Sequence, residues 1–249
     1  HQRRKHNHGG AKMLSLEDKK VLVVGGSSGI GLGAAKLIAA AGADLTIAGR
    51  SADRLAQAKN EISGDVATRT LDGTDDADVA AFFAETPHWD HVVGCAGAGG
   101  RGRVEAMPMA DALTAMDAKF WLYFRLARAA KIAVDGSLTF VSGEIAHKPV
   151  AEASLISAVN SAIEGLTRGL AVDFAPVRVN AVCPGIIDTP MWDRMGDAAK
   201  QSMYDRTAAA LPVARVGTAE DVGQAIVYMM TNPFSTGTVM LLEGGSLLT

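Results

Sequence analysis

Cysteine, aromatic residues and long apolar runs are all scarce in this chain of 249 residues. The two cysteines, Cys95 and Cys183, are too few for a disulfide scaffold or a cysteine-based zinc cluster, and no metal site is predicted. No uncharged apolar run approaches the ~18 residues of a membrane span, so no membrane partner is expected. With 24 basic and 27 acidic side chains there is no excess of positive charge, and no nucleic-acid partner is expected either.

What the chain has is a composition suited to a folded core, with 48% apolar and 20% charged residues. Residues 1–12 differ from the rest, because they carry Arg3, Arg4, Lys5 and Lys12 without any acid. We interpret 1–12 as a disordered tail or a cloning remnant, in preference to a short nucleic-acid or membrane-binding segment. It lacks the apolar stretch of a secretory signal, which favours a cytoplasmic location. Residues 13–249 are predicted to form a single domain.

From residue 20 onward, short β-branched runs alternate with helical patterns. This order is typical of βαβ units, and it predicts an α/β fold with one doubly wound parallel sheet of about seven strands and helices on both faces. Strands are predicted at 20–24, 43–49, 67–71, 91–94, 137–141, 177–182 and 239–242. Helices are predicted at 32–41, 52–62, 75–84, 110–133, 154–174, 197–210 and 219–230, with Ser51 capping the second.

A glycine-rich turn separates the first strand from the first helix. Glycine tolerates the backbone angles of such a turn and lets a pyrophosphate approach, while the N–H groups at the helix start face the negative charge. The alternative is a tight turn without a ligand. The cofactor-binding candidates here are Gly25, Ser27, Ser28, Gly29, Ile30 and Gly31.

The end of the second strand indicates which dinucleotide would bind. NAD-dependent proteins place a carboxylate there for the ribose hydroxyls, whereas this chain has Arg50 followed by Ser51. An arginine can pair with a 2′-phosphate, so the sequence favours NADP over NAD as the cofactor. Arg50 as an ordinary solvated side chain remains the alternative.

These motifs, together with later ones, resemble the short-chain dehydrogenase/reductase family over about residues 16–245. The segment Val24–Gly31 matches its Thr-Gly-x-x-x-Gly-x-Gly motif, with valine in place of threonine. The resemblance implies that Asp72 contacts the adenine. It also implies that the turn after strand four and the segment after strand six line the cofactor. The residues concerned are Gly94, Ala96, Gly97, Pro184, Gly185, Ile187 and Thr189.

The resemblance fails where the family keeps its catalytic asparagine, serine, tyrosine and lysine. Aligned on the family's pattern, these positions are Lys119, Gly143, Ile156 and Asn160. Isoleucine carries no ionisable proton and cannot act as a general acid. Tyr123, one turn after Lys119, is an alternative donor if it faces the cleft, although a packed helix tyrosine is the simpler interpretation.

The asparagine and the lysine of the family have exchanged helices. Lys119 lies on the first long helix and Asn160 on the second, so Lys119 is predicted to reach the nicotinamide ribose with Asn160 as its hydrogen-bond partner. The alternative is a lysine that extends to solvent. Ser142 and His147, in the loop after strand five, are further catalytic candidates, because that loop borders the ligand crevice and histidine titrates near neutral pH.

The sequence thus favours an NADP-dependent oxidoreductase with an unusual catalytic site, acting on a small carbonyl or alcohol. A catalytically inactive NADP-binding sensor or scaffold is the main alternative, and an epimerase or lyase on the same fold is another. The resemblance also implies a homodimer or homotetramer formed through the two long helices.

Overall fold

The computed structural model describes residues 15–86, 88–95, 97 and 100–249. The predicted tail 1–12, Met13 and the cofactor-binding candidate Ala96 lie outside the described residues. Seven strands form one parallel sheet in the order β3-β2-β1-β4-β5-β6-β7. They are β1 (Lys20–Val24), β2 (Asp44–Gly49), β3 (Val66–Thr70), β4 (Trp89–Gly94), β5 (Ile132–Val141), β6 (Arg178–Pro184) and β7 (Val239–Leu242). The doubly wound α/β fold predicted from the sequence is confirmed.

Helices connect all the successive strands, with two helices between β4 and β5 and two between β6 and β7. Their bounds are α1 (Gly29–Ala40), α2 (Ala52–Glu61), α3 (Asp76–Glu85), α4 (Met109–Met116), α5 (Leu122–Ala129), α6 (Ser154–Asp173), α7 (Asp197–Ala210) and α8 (Ala219–Thr231). A π-helical turn, Asp117–Trp121, joins α4 to α5. Ser51 caps α2 as predicted, since its hydroxyl accepts a hydrogen bond from the Arg54 amide. Among these helices, none is both long and apolar enough to cross a bilayer.

Two apolar layers cover the two faces of the sheet. Successive residues of β1 point to opposite faces, so Val21 and Val23 pack under α1, α2 and α8, while Leu22 and Val24 pack under α3, α5 and α6. All four are 2% exposed or less. Burial on both faces explains why β1, inside the sheet, is continuously apolar from Val21 to Val24.

The predicted helix 110–133 is too long, and this is where the sequence interpretation is wrong. The helical stretch ends at Ala129, and β5 begins at Ile132 rather than at 137. The backbone of Trp89 donates to the Lys131 carbonyl, and Trp89 is paired with Ile132 in the sheet. Pairing with β4 therefore places residues 132 and 133 in a strand, although their local sequence pattern is also compatible with a helix.

The strand order reverses at β1, which has β2 on one side and β4 on the other. Ligands of open α/β sheets bind at such a reversal, outside the carboxyl ends of the strands. The glycine-rich turn after β1 and the segments after β4, β5 and β6 all lie at that edge. The topology thus brings the sequence-predicted cofactor and catalytic segments to one side of the molecule.

Candidate functional site

The glycine-rich turn has the geometry of a phosphate cradle. Gly25 and Gly29 have φ angles of +84° and +53°, which side chains disfavour. A Cβ on Gly31 would lie 2.1 Å from the carbonyl oxygen of Gly25, so only glycine allows the turn to close over the start of α1. The Ser28 side chain does not cap α1, so the first N–H groups of this helix remain available to a pyrophosphate.

A second arginine accompanies Arg50 beside this turn. The guanidinium of Arg54 donates from Nη2 to the Ser28 hydroxyl at 3.1 Å. Arg54 lies in the first turn of α2, which Ser51 caps, so it comes from the segment that immediately follows Arg50. The sequence interpretation missed Arg54, although its position four residues after Arg50 in a predicted helix was a usable signal.

Asp72 lies just after β3, whose carboxyl end is beside that of β2. Its carboxylate accepts hydrogen bonds from the Thr74 hydroxyl at 2.7 Å and from the Thr74 amide at 3.0 Å. These bonds, followed by the charge of Arg50, lower the pKa of Asp72. The carboxylate is therefore held ionised and oriented at the edge where the family resemblance places the adenine.

The segments after β4 and β6 complete the crevice. Gly94 ends β4 against the Tyr123 ring, where an added Cβ would come within 2.8 Å. A Cβ on Gly29 would lie 3.4 Å from the Thr189 side chain, so the segment after β6 returns to the glycine-rich turn. Ile187 bridges to Gly217 in the parallel sense, and Pro184 and Gly185 lead from β6 into this segment.

Lys119 lies between α6 and the segments that follow β4 and β5, and it is held on three sides. Its amine donates to Asn160 Oδ1 at 2.7 Å and to the backbone carbonyl of Ser142 at 2.9 Å. Its aliphatic stem packs on Gly97, where a Cβ would lie 2.7 Å from Lys119 Cγ. Burial lowers the pKa of the Lys119 amine to about 8, and the neighbouring thiols Cys183 and Cys95 only partly oppose that shift.

The π-helical turn positions Lys119. Such turns are rare, and they change the direction in which the following side chains leave the helix. Arg125 fixes this one by donating to Asp117 Oδ1 at 2.7 Å and to Asp76 Oδ1 at 2.6 Å. The turn carrying Lys119 is thus tied to both α3 and α5.

Gly143 and Asn160 are complementary. A Cβ on Gly143 would lie 2.8 Å from Asn160 Nδ2, closer than real side chains approach. A serine at this position, as the family has it, would therefore require the amide that holds Lys119 to shift. The changes at 119, 143 and 160 form one consistent arrangement rather than three unrelated losses.

The remaining catalytic candidates meet at a buried carboxylate that sequence reasoning missed. Glu164 lies one turn after Asn160 on α6 and is 4% exposed. Its Oε1 accepts from the Ser142 hydroxyl at 3.2 Å and lies 3.0 Å from His147 Nε2. Glutamate in a helix usually faces solvent, so the sequence offered no signal beyond its i+4 spacing from Asn160.

Tyr123 does not face the crevice. Its side chain is fully buried, its ring stacks on Phe140 with centroids 4.7 Å apart, and its hydroxyl donates to the Val141 carbonyl. Burial raises the pKa of this phenol far above its usual range. The packed helix tyrosine is therefore the correct interpretation of Tyr123.

Comparisons with known proteins find relatives that match nearly the whole chain. The family described as Enoyl-(Acyl carrier protein) reductase matches residues 24–246. A short-chain dehydrogenase/reductase of Malbranchea aurantiaca is 30% identical, covering 94% of this chain and 96% of its own length. A 3-oxoacyl-[acyl-carrier-protein] reductase of Bos taurus is 30% identical, covering 93% and 99%. A small-chain dehydrogenase solved in complex with NADPH is 33% identical with a TM-score of 0.78, covering 93% and 100%.

Proposed function

The chain belongs to the short-chain dehydrogenase/reductase family of nicotinamide-dependent oxidoreductases, and from that premise we propose that it is an NADPH-dependent carbonyl reductase whose acid is Lys119. The observation that carries this proposal is the Lys119–Asn160 hydrogen bond of 2.7 Å at the edge of the sheet where the cofactor segments meet. The substrate class is a small carbonyl compound, or the corresponding alcohol in the reverse direction.

The choice of NADP over NAD rests on Arg50 and Arg54. In the described residues no acidic side chain forms an ion pair with either guanidinium, so both charges remain for an anion. Ser28 and Ser51 add hydroxyl groups beside them. A 2′-phosphate supplies charged oxygens that the planar guanidinium of arginine can bind in a bidentate manner. The related dehydrogenase solved with NADPH is in keeping with this choice.

Lys119 supplies the proton in the proposed mechanism. A bound nicotinamide cofactor would supply the hydride, and Lys119 would donate the proton that the oxygen of the substrate carbonyl requires. An ammonium has three N–H groups; two engage Ser142 and Asn160, and the third engages no residue that the structure describes. A pKa of about 8 leaves the amine protonated at neutral pH while making it a far better acid than an ordinary lysine.

Ser142 and Asn160 act as positioning residues in this scheme. The Ser142 carbonyl and the Asn160 amide hold the ammonium, while the Ser142 hydroxyl is directed to Glu164 and away from the substrate. His147 is the second candidate donor. Its Nε2 is engaged by Glu164, so only Nδ1 is left for a substrate, and Lys119 is the better placed acid.

Two further features belong to the same proposal. We place the enzyme in the cytoplasm, since Cys95 and Cys183 are both free thiols as expected in a reducing compartment. We also expect a homodimer or homotetramer, because apolar side chains remain exposed on the α4–α5 stretch.

The cofactor preference is tested by calorimetric titration of the protein with NADPH and, separately, NADH. We expect NADPH to bind at least about ten-fold more tightly, which corresponds to about 1.4 kcal/mol. Replacing Arg50 and Arg54 together by glutamine should remove that preference and leave NADH affinity unchanged. Arg168→Gln, which removes one positive charge on the exposed side of α6, should change neither. Equal affinity for both cofactors in the unmodified protein would contradict the NADP assignment.

Turnover is tested by following NADPH oxidation with a panel of aldehydes, ketones and 3-oxoacyl thioesters, the last because one relative is named for that reaction. The unmodified protein should oxidise NADPH with at least one of them. Lys119→Met should retain NADPH binding but lose the reaction. Tight NADPH binding without turnover of any carbonyl compound would instead favour the inactive sensor.

A further inference from the structure

Three ligand-type side chains converge beneath the crevice from three different elements. His147 lies in the loop after β5, Glu164 on α6 and Cys183 near the end of β6. An imidazole nitrogen, a carboxylate oxygen and the thiol sulfur all lie within 4.8 Å of one another. We propose that His147, Glu164 and Cys183 form a binding site for a transition-metal ion of the zinc type.

The burial of this cluster argues for a cation. Glu164 keeps 5% of its side chain exposed and Cys183 none. A carboxylate out of water is costly unless it is paired with a positive charge. In the part of the chain that the structure describes, no lysine or arginine forms an ion pair with Glu164; the Ser142 hydroxyl, the His147 ring and the Cys183 thiol lie against it. The His147 ring pairs with this carboxylate as a cation only when it is protonated. A divalent cation would supply positive charge while the imidazole stays neutral and acts as a ligand.

The donor set selects the metal. Imidazole, carboxylate and thiolate together suit borderline ions such as Zn²⁺, whereas Mg²⁺ and Ca²⁺ prefer oxygen ligands alone. Three protein ligands leave the fourth tetrahedral position to water or to the Ser142 hydroxyl. On binding, the Cys183 thiol loses its proton to solvent and a sulfur–metal bond forms, with no oxidant or reductant required.

The site has to contract slightly around the ion. Ligand atoms around tetrahedral zinc lie about 3.3–3.8 Å apart, given bonds of about 2.0–2.3 Å. The His147 side chain is 35% exposed, so its ring can turn toward the two buried ligands without disturbing the core. The consequence is a clamp that fastens the loop after β5, which carries Ser142, to α6 and β6. Metal binding at these three residues does not depend on the proposed reaction.

The test is a cobalt titration of the full chain, with zinc as the competitor. His1, His6 and His8 are first replaced by asparagine, because free histidines near a terminus bind metal ions on their own. We expect one equivalent of Co²⁺ to bind and to give a sulfur-to-cobalt charge-transfer band in the near ultraviolet, which zinc abolishes. Cys183→Ser should remove the band, while Cys95→Ser, the matched change at the other free cysteine, should leave it intact.

The other ligands give independent readings of the same site. His147→Ala and Glu164→Gln should each weaken cobalt binding by about ten-fold or more. His147→Ala changes a partly exposed side chain, so this variant keeps the test valid if the buried substitutions prevent folding. Absence of the band in the unmodified chain, or its persistence at full affinity in His147→Ala, would overturn the proposal and indicate adventitious binding only.

Discussion

At the scale of single residues, this molecule shows how one substitution constrains the next. Lysine at 119 and asparagine at 160 reproduce an amine–amide pair with the two helices exchanged. The asparagine amide lies 2.8 Å from where a Cβ at position 143 would be, so glycine at 143 leaves that amide in place beside Lys119. In the proposed mechanism a lysine therefore takes the role of the acid, and Ile156 is a partly exposed apolar residue without an ionisable proton.

The lowered pKa of Lys119 predicts how the stability of the protein changes with pH, and this can be tested without a substrate. Burial lowers this pKa from 10.5 to about 8, so between pH 8 and 10.5 the unfolded chain binds a proton that the folded protein does not. The free energy of unfolding should therefore rise with pH across this window because of Lys119. Urea unfolding at pH 7.5 and 9.5 should show the unmodified protein gaining about 1–2 kcal/mol relative to Lys119→Met. Parallel pH profiles for the two proteins would contradict a buried, shifted amine.

At the scale of secondary-structure elements, the pairing of β4 with β5 holds a histidine inside the sheet. His91 is 4% exposed, is paired in register with Ser137, and has its Nδ1 2.8 Å from the Ser137 hydroxyl. Burial, followed by the charge of Arg178, lowers the pKa of His91 to about 4. The imidazole is therefore neutral in the folded protein over the whole physiological range.

The lowered pKa of His91 predicts that the folded protein loses stability in acid over a defined pH range. Its unfolded pKa of 6.5 exceeds the folded value, so stability is fully present above pH 6.5 and is lost as the pH falls toward 4. The loss attributable to His91 should reach about 3 kcal/mol by pH 4. Urea unfolding of His91→Gln should show a correspondingly shallower decline between pH 6.5 and 4. His88→Gln, which removes an exposed histidine three residues earlier, should decline as steeply as the unmodified protein.

At the scale of the whole molecule, the described surface leaves an apolar stripe uncovered. The α4–α5 stretch exposes Met109, Leu113, Trp121 and Phe124 by 71%, 62%, 45% and 40%, and the last two rings contact each other. Apolar surface concentrated in this way marks an interaction site. The homodimer or homotetramer implied by the family resemblance would use this stripe.

Assembly through the stripe is tested by sedimentation velocity. We expect the unmodified protein to sediment as a dimer or tetramer, and Trp121→Glu with Phe124→Glu to sediment as a folded monomer, because burying two carboxylates in an apolar interface is costly. Val134→Glu, at a 70% exposed residue of β5 outside the stripe, should not change the assembly. An unmodified protein that sediments as a monomer would refute the predicted oligomer.

Much of the fold, and the glycine-rich turn of the candidate site, could be predicted from the sequence, because these features depend on local chemistry. The alternation of strands and helices, the glycines of the turn after β1 and the Ser51 cap each follow from the backbone preferences of a few adjacent residues. The bounds of α7 at 197–210 and of β7 at 239–242 were also predicted correctly. The absence of a tyrosine from α6 is likewise a property of the sequence alone.

What only the tertiary structure decided are contacts between residues far apart in the chain. The start of β5 at Ile132 depends on Trp89 as a partner, and the hydrogen bond between Lys119 and Asn160 joins two helices across 41 positions. The cluster in which Ser142, His147 and Cys183 lie beside the Glu164 carboxylate likewise joins residues that are far apart in the chain. The sequence by itself determined which chemical groups this protein carries; folding decided which of them meet, because burial and proximity, and hence pKa and ligand geometry, are set by long-range packing.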